Sequence, residues 1–162
     1  MNKSEISSLI AYNFWADEQI ITACEKITTE EFTRKIIPNP GWDSLRGILI
    51  HLLDAELGWR LNLESLDASE ILDEANFSTV SDLRNRWELE RKAWMKYAAG
   101  LSEEILNASR GDALKVWQVI VHVVNHGTQH RSEAAAILTG YDQSPGELDF
   151  DIFLSEHPEH RD

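Results

Sequence analysis

Residues 112–140, DALKVWQVIVHVVNHGTQHRSEAAAILTG, decide how this chain folds. Trp117, Ile120, Val124 and Leu138 recur at helical spacing. Asp112 stands where a side-chain oxygen accepts the first free amides of a helix, and Gly140 where a helix stops. The same stretch carries His122, His126 and His130, each four residues after the last. A helix advances about 100° per residue, so a step of four turns by only about 40° and His126 and His130 project side by side.

Working outward, three more segments show the same period. The first runs from about Ser4 to Ile27 with Ile6, Ile10, Trp15, Ile20 and Ile21 among its apolar positions, and Thr28 and Thr29 are expected to end it. After the breaker Pro38-Asn39-Pro40-Gly41, Asp43 or Ser44 caps a second helix reaching about Ser65, with Ile48, Leu52 and Ala55 around His51. Ser81, or else Thr79, caps a third through Trp87, Trp94 and Tyr97, closed by Gly100. A short helical turn is expected near Glu103 to Leu106. An apolar cluster at Phe150, Ile152, Phe153 and Leu154 is expected to pack across one end of the bundle. No repeat, low-complexity tract or strand-like alternation interrupts the pattern. The expectation is an all-α four-helix bundle, one domain over residues 1–162.

Composition narrows the function. A net charge of −13 repels phosphate backbones and anionic headgroups, so nucleic acid and membrane are not expected partners. No apolar run approaches the roughly 20 residues that cross a bilayer, and no signal-peptide pattern opens the chain, which therefore reads as cytoplasmic. The single cysteine, Cys24, follows Ile20 and Ile21 and reads as a small buried hydrophobe.

The chemistry lies with the histidines. Two imidazoles at i and i+4 are the spacing by which one helix offers two ligands to one ion. The zinc-protease motif shares that spacing but needs a glutamate directly after its first histidine, where this chain has Gly127. Catalytic metal sites usually take three protein ligands and leave one position open. His51, set among Leu49, Ile50, Leu52 and Leu53, is the natural third, since a buried imidazole without a partner is costly. A lone helical histidine is, however, more commonly a hydrogen-bonded core or surface residue than a ligand.

The stretch His122-Val-Val-Asn-His126-Gly-Thr-Gln-His130-Arg131-Ser132-Glu133 resembles the fourth-helix signature of the DinB family of bacterial metalloenzymes. Residues 48–59, ILIHLLDAELGW, are similar to that family's second helix, and Tyr12-Asn13-Phe14-Trp15-Ala16-Asp17 to its first. The resemblance implies a DinB/YfiT-like bundle with a three-histidine metal site whose ligands are His51, His126 and His130, with His122 a neighbour and not a ligand. Zinc, nickel or iron suits such a site. Gln129 stands where many relatives have a further histidine, and Ser132 where many have glycine.

The resemblance further implies a metal-dependent enzyme acting on a small molecule. In some relatives the metal activates a low-molecular-weight thiol for S-transfer; metal-dependent hydrolysis is the rival reading. A non-catalytic metal-binding or stress-response protein, in keeping with a family name that records damage-inducible expression, is the alternative, and a homodimer is expected. No catalytic or thiol-binding residue is assigned. Glu133 and Asp54 are read first as solvated or structural carboxylates, with orienting a ligand or acting as a base as the second reading of each; His122 is read as a hydrogen-bonded core residue, and His157 and His160 as a solvated tail. The six tryptophans are read first as core or dimer contacts, with Trp15 or Trp59 lining the cavity over the metal as the second reading.

Overall fold

The computed structural model describes residues 1–36, 42–69, 71–110 and 114–161. Four long helices form the body: α1 (Lys3–Cys24), α3 (Leu45–Leu63), α4 (Val80–Ala99) and α6 (Val116–Gly140). Of three short ones, α2 (Thr29–Thr33) and α5 (Glu103–Asn107) lie in connections between them and α7 (Phe150–Glu156) follows the last. α1 and α3 each pack on both α4 and α6, so the order round the bundle is α1–α6–α3–α4. The apolar stripes meet in one core that includes Ile6, Ile20, Leu45, Ile48, Leu52, Leu83, Trp94, Ile120 and Leu138. A smaller cluster of Tyr12, Ala16, Val124 and Phe153 fixes α7 against the body, as the apolar C-terminal run foretells.

Local chemistry sets the helix starts. Asn2 accepts from the Glu5 amide at 2.9 Å while Glu5 accepts from the Asn2 amide at 2.7 Å, a reciprocal cap. Ser44 accepts from the Gly47 amide at 3.0 Å and opens α3. For α4 the cap is Thr79 and not Ser81. Asp82, three residues after Thr79, returns the bond at 2.8 Å, whereas the residue three after Ser81 is Arg84, which has no acceptor to offer.

α1 stops at Cys24, short of Ile27, and Thr28 begins a helix instead of ending one: with Glu31 it forms a second reciprocal cap, on α2. α6 begins at Val116, with the Lys115 amide held by Gln118 at 2.9 Å, so Asp112 does not open it directly. Asp112 itself and the Pro38–Gly41 breaker lie outside the described residues. A two-stranded antiparallel ladder, β1 (Ser109–Arg110) with β2 (Leu114–Lys115), precedes α6; strands of two residues are too short to show an alternating pattern. Among the described residues no helix is long and apolar enough to cross a membrane.

Candidate metal centre

α3 and α6 run antiparallel, and their shared seam carries a file of rings. Trp42, just before α3, meets His130 with ring centroids 5.5 Å apart; His51 meets His126 at 5.2 Å; Trp59 meets His122 at 5.1 Å. In the middle of this file, His51, His126 and His130 each present one ring nitrogen within 4.8 Å of the other two. The Nε2 atoms of His126 and His130 are 3.2 Å apart. A tetrahedral ion with bonds of about 2.0–2.1 Å requires ligand nitrogens separated by roughly 3.3 Å, so this pair already has the spacing of two ligands on one ion.

Glu133 fixes the chemistry of one of them. Its carboxylate lies 2.8 Å from His130 Nδ1, and an ionised carboxylate only accepts, so Nδ1 carries the proton and Nε2 turns a lone pair to the centre. The solvated role first assigned to Glu133 is corrected by this bond: three residues is the helical spacing that brings the two side chains together. Burial, then the nearby His130, lowers the pKa of His51. Burial, then His130 and His51, pushes that of His126 down to about 4. The His51 and His126 rings are thereby kept neutral at ordinary pH with their lone pairs free, the state a metal requires. The residues therefore fit a metal ion: three ring nitrogens converge and one is oriented from behind.

Trp42, and neither Trp15 nor Trp59, covers the triad. Its ring stacks on His51 at 4.0 Å and 19°. Gly47 permits this, since a Cβ there would stand 3.0 Å from the Trp42 Cα. Trp15 belongs to the α7 cluster, stacked on Tyr12 and tilted against Phe153. His122 is exposed and not a core residue: Ile120, Val123 and Val124 of the same turn face the core, which leaves His122 on the outer edge of α6 beside Trp59. Asp54 is structural, accepting the Leu72 amide at 2.9 Å. The His157 and His160 rings are half-buried against Phe153 at 4.9 and 5.2 Å, which corrects the solvated-tail expectation; the Ser8 hydroxyl donates to the His160 carbonyl at 3.0 Å. Cys24 is fully buried as expected, and burial pushes its thiol up to about 12.

Behind the triad lies a buried polar cluster that joins all four long helices. Arg131, the residue after His130, donates from Nη1 to Asp17 Oδ1 and Asn13 Oδ1, both at 2.8 Å. Glu56 accepts from Asn13 at 2.5 Å and from the Trp87 indole at 2.8 Å. The Glu56 and Asp17 carboxyls are hydrogen-bonded to each other, and burial raises the pKa of both. Glu56 is raised well above the usual range, since its other donors are neutral while Asp17 has the Arg131 guanidinium against it. Glu56 therefore holds the proton and Asp17 the charge, which leaves the cluster neutral with Arg131. Gly127 makes room for it: a Cβ would lie 2.6 Å from Arg131 Nη1 and 2.7 Å from Asn13 Oδ1. Nearby, Glu90 takes two bonds from Arg60, at 2.5 and 2.9 Å.

The chain is 26% identical to the protein named Protein DinB of Bacillus subtilis (strain 168) over 163 residues, covering 91% of this chain and 94% of that relative. The family model described as DinB family matches residues 1–156, and the chain belongs to the DinB family.

Proposed function

We propose that this protein binds one divalent transition-metal ion, zinc, nickel or iron, through His51, His126 and His130, and uses it enzymatically on a small molecule. The observation that carries the reading is the convergence of three ring nitrogens with no fourth histidine, cysteine or carboxylate in the group among the described residues. Glu133 is engaged with His130 and His122 with Trp59, which supports an open coordination position over a closed, purely structural site. An ion held by three neutral imidazoles keeps its formal charge and supplies Lewis acidity, lowering the pKa of a thiol or water offered to it. The protein's own part is to keep the His51 and His126 rings neutral, to hold His130 in one tautomer through Glu133, and to cover one face of His51 with Trp42.

Thiol-dependent S-transfer is the reaction proposed, with a low-molecular-weight thiol as co-substrate, in line with the resemblance to relatives that work this way. The net charge of −13 supports small molecules over nucleic acid or anionic membranes as partners. A homodimer completes the proposal and rests on the family alone; light scattering in the micromolar range tests it.

Metal analysis of the untagged protein should give about one divalent ion per chain, and His126→Ala should lose it. Full stoichiometric metal in His126→Ala overturns the triad. In the cobalt-substituted protein, millimolar small thiols should produce a sulfur-to-metal charge-transfer band. Bound cobalt with an unchanged spectrum overturns the transferase reading and favours hydrolysis or a non-catalytic role.

A further inference from the structure

The seam that holds the triad is asymmetric. At the His130 end, Trp42 closes it, stacked on His51 at 4.0 Å and edge-on to His130 at 5.5 Å. At the other end, one turn before His126, His122 is exposed, its ring 6.0 Å from His126 and edge-on to Trp59 at 5.1 Å and 72°. Trp59 is itself half-buried, packed on the core from one side. Neither the His122 imidazole nor the Trp59 indole N–H has a hydrogen-bond acceptor among the described residues. An imidazole in either protonation state carries at least one N–H, so this shelf offers two unanswered donors beside two flat rings.

A molecule whose reacting group sits at the triad is therefore blocked by an indole on one side and met on the other by donors and π-faces. We infer that His122 and Trp59 form the substrate-positioning subsite of the metal centre, and that the substrate class is small planar acids: molecules with a metal-ligating group at one end and a carboxylate-bearing aromatic or conjugated group reaching along the seam. The inference rests on the proposed metal site. His122 is here a positioning residue; it binds the far end of the molecule and leaves the ion to the other three histidines. The shelf also gives a physical reason for His122 to be exposed on a helix whose neighbouring positions Val123 and Val124 are buried.

The test uses the full-length cobalt-substituted protein and two hydroxamates, which ligate the ion by the same group. Acetohydroxamate has nothing to place on the shelf; 4-carboxybenzohydroxamate has a ring and a carboxylate. Perturbation of the cobalt d–d bands gives both dissociation constants. The wild type should prefer the aromatic acid by about tenfold or more, the scale of one additional hydrogen bond with stacking. His122→Ala should reduce that preference to below about threefold while leaving cobalt content and acetohydroxamate affinity unchanged, and His122→Asn, which retains an N–H donor, should recover part of it. Because His122 is exposed, the variant tests the shelf without opening a core void. A wild type that binds both probes alike, or a His122→Ala protein that keeps the full preference, overturns the subsite and leaves the metal site standing. A wild type that takes up no cobalt overturns the metal site, and the subsite falls with it.

Discussion

Replacing Arg131 with methionine tests the buried cluster most directly. Arg131 and Asp17 have side chains each 2% exposed, and their 2.8 Å bond is the only one joining opposite charges in the Asn13–Asp17–Glu56–Arg131 cluster. Methionine fills much of the same volume but leaves Asp17 facing Glu56 with no cation, and breaking a buried pair from one side costs about 3–5 kcal/mol. For a domain of this size each kcal/mol moves Tm by about 2–4 °C, so the expected fall is roughly 6–20 °C.

Glu56→Gln is the control. An amide keeps a carbonyl acceptor and can donate toward Asp17 as the protonated acid does, so the cost should stay near 1 kcal/mol. Urea denaturation followed by circular dichroism at pH 7, with equal slopes, gives both numbers. Loss of less than about 1 kcal/mol in Arg131→Met, or an equal loss in Glu56→Gln, would refute the assignment of one charge to Asp17 and one proton to Glu56.

The sign of the pH dependence follows from the same assignment. The Glu56 pKa is raised in the folded state, so the native protein keeps a proton that the unfolded chain releases above about pH 4.3. Its contribution to stability is complete below that pH, declines by up to about 1.4 kcal/mol per unit as pH rises, and is gone above the folded pKa. The wild type should lose stability over this range relative to Glu56→Gln, which lacks the proton; parallel curves contradict the reading.

Three shorter predictions accompany it. Glu133→Ala frees His130 Nδ1 and should weaken metal affinity by about 10–100-fold in a chelator competition, with the fold unchanged by circular dichroism; equal affinity removes Glu133 as the orienting group. Gly127→Ala places a methyl 2.6 Å from Arg131 Nη1 and should destabilise the protein by about 1–3 kcal/mol in the same urea assay; a neutral result means that the guanidinium can move aside. Cys24, buried with its thiol pushed up to about 12, should react with an aromatic disulfide reagent at pH 8 only in denaturant, and prompt reaction of the native protein contradicts its placement.

The long helices were legible because apolar residues repeat at 3.6 and because Ser44 and Gly100 punctuate them. Thr28 misled because a threonine after a helix reads as a stop, and only the glutamate three residues on marks it as the next start. The pairing of His126 with His130 follows from helical spacing; that of His51 with them depends on which helices are neighbours, which no local pattern encodes. Trp42 was missed for a related reason. It lies before α3, outside any periodic stripe, and reaches the triad only through the path of the chain past Gly47.

The buried charges left a readable trace. Asp17 falls three residues after Phe14 and three before Ile20, and Glu56 falls three after Leu53, so both sit on apolar stripes where a carboxylate needs a partner. The partner, Arg131, is far off in sequence, and spacing alone does not identify it.

The Trp42–His51 stack turns one of six tryptophans into an internal gauge. An indole in contact with a ligand ring emits within a few ångströms of whatever ion that ring holds, so an open-shell ion should darken it while zinc should leave it bright. Emission compared between the wild type and Trp42→Phe would then report filling of the centre in dilute solution, without dye or tag, and could follow loading and exchange in real time.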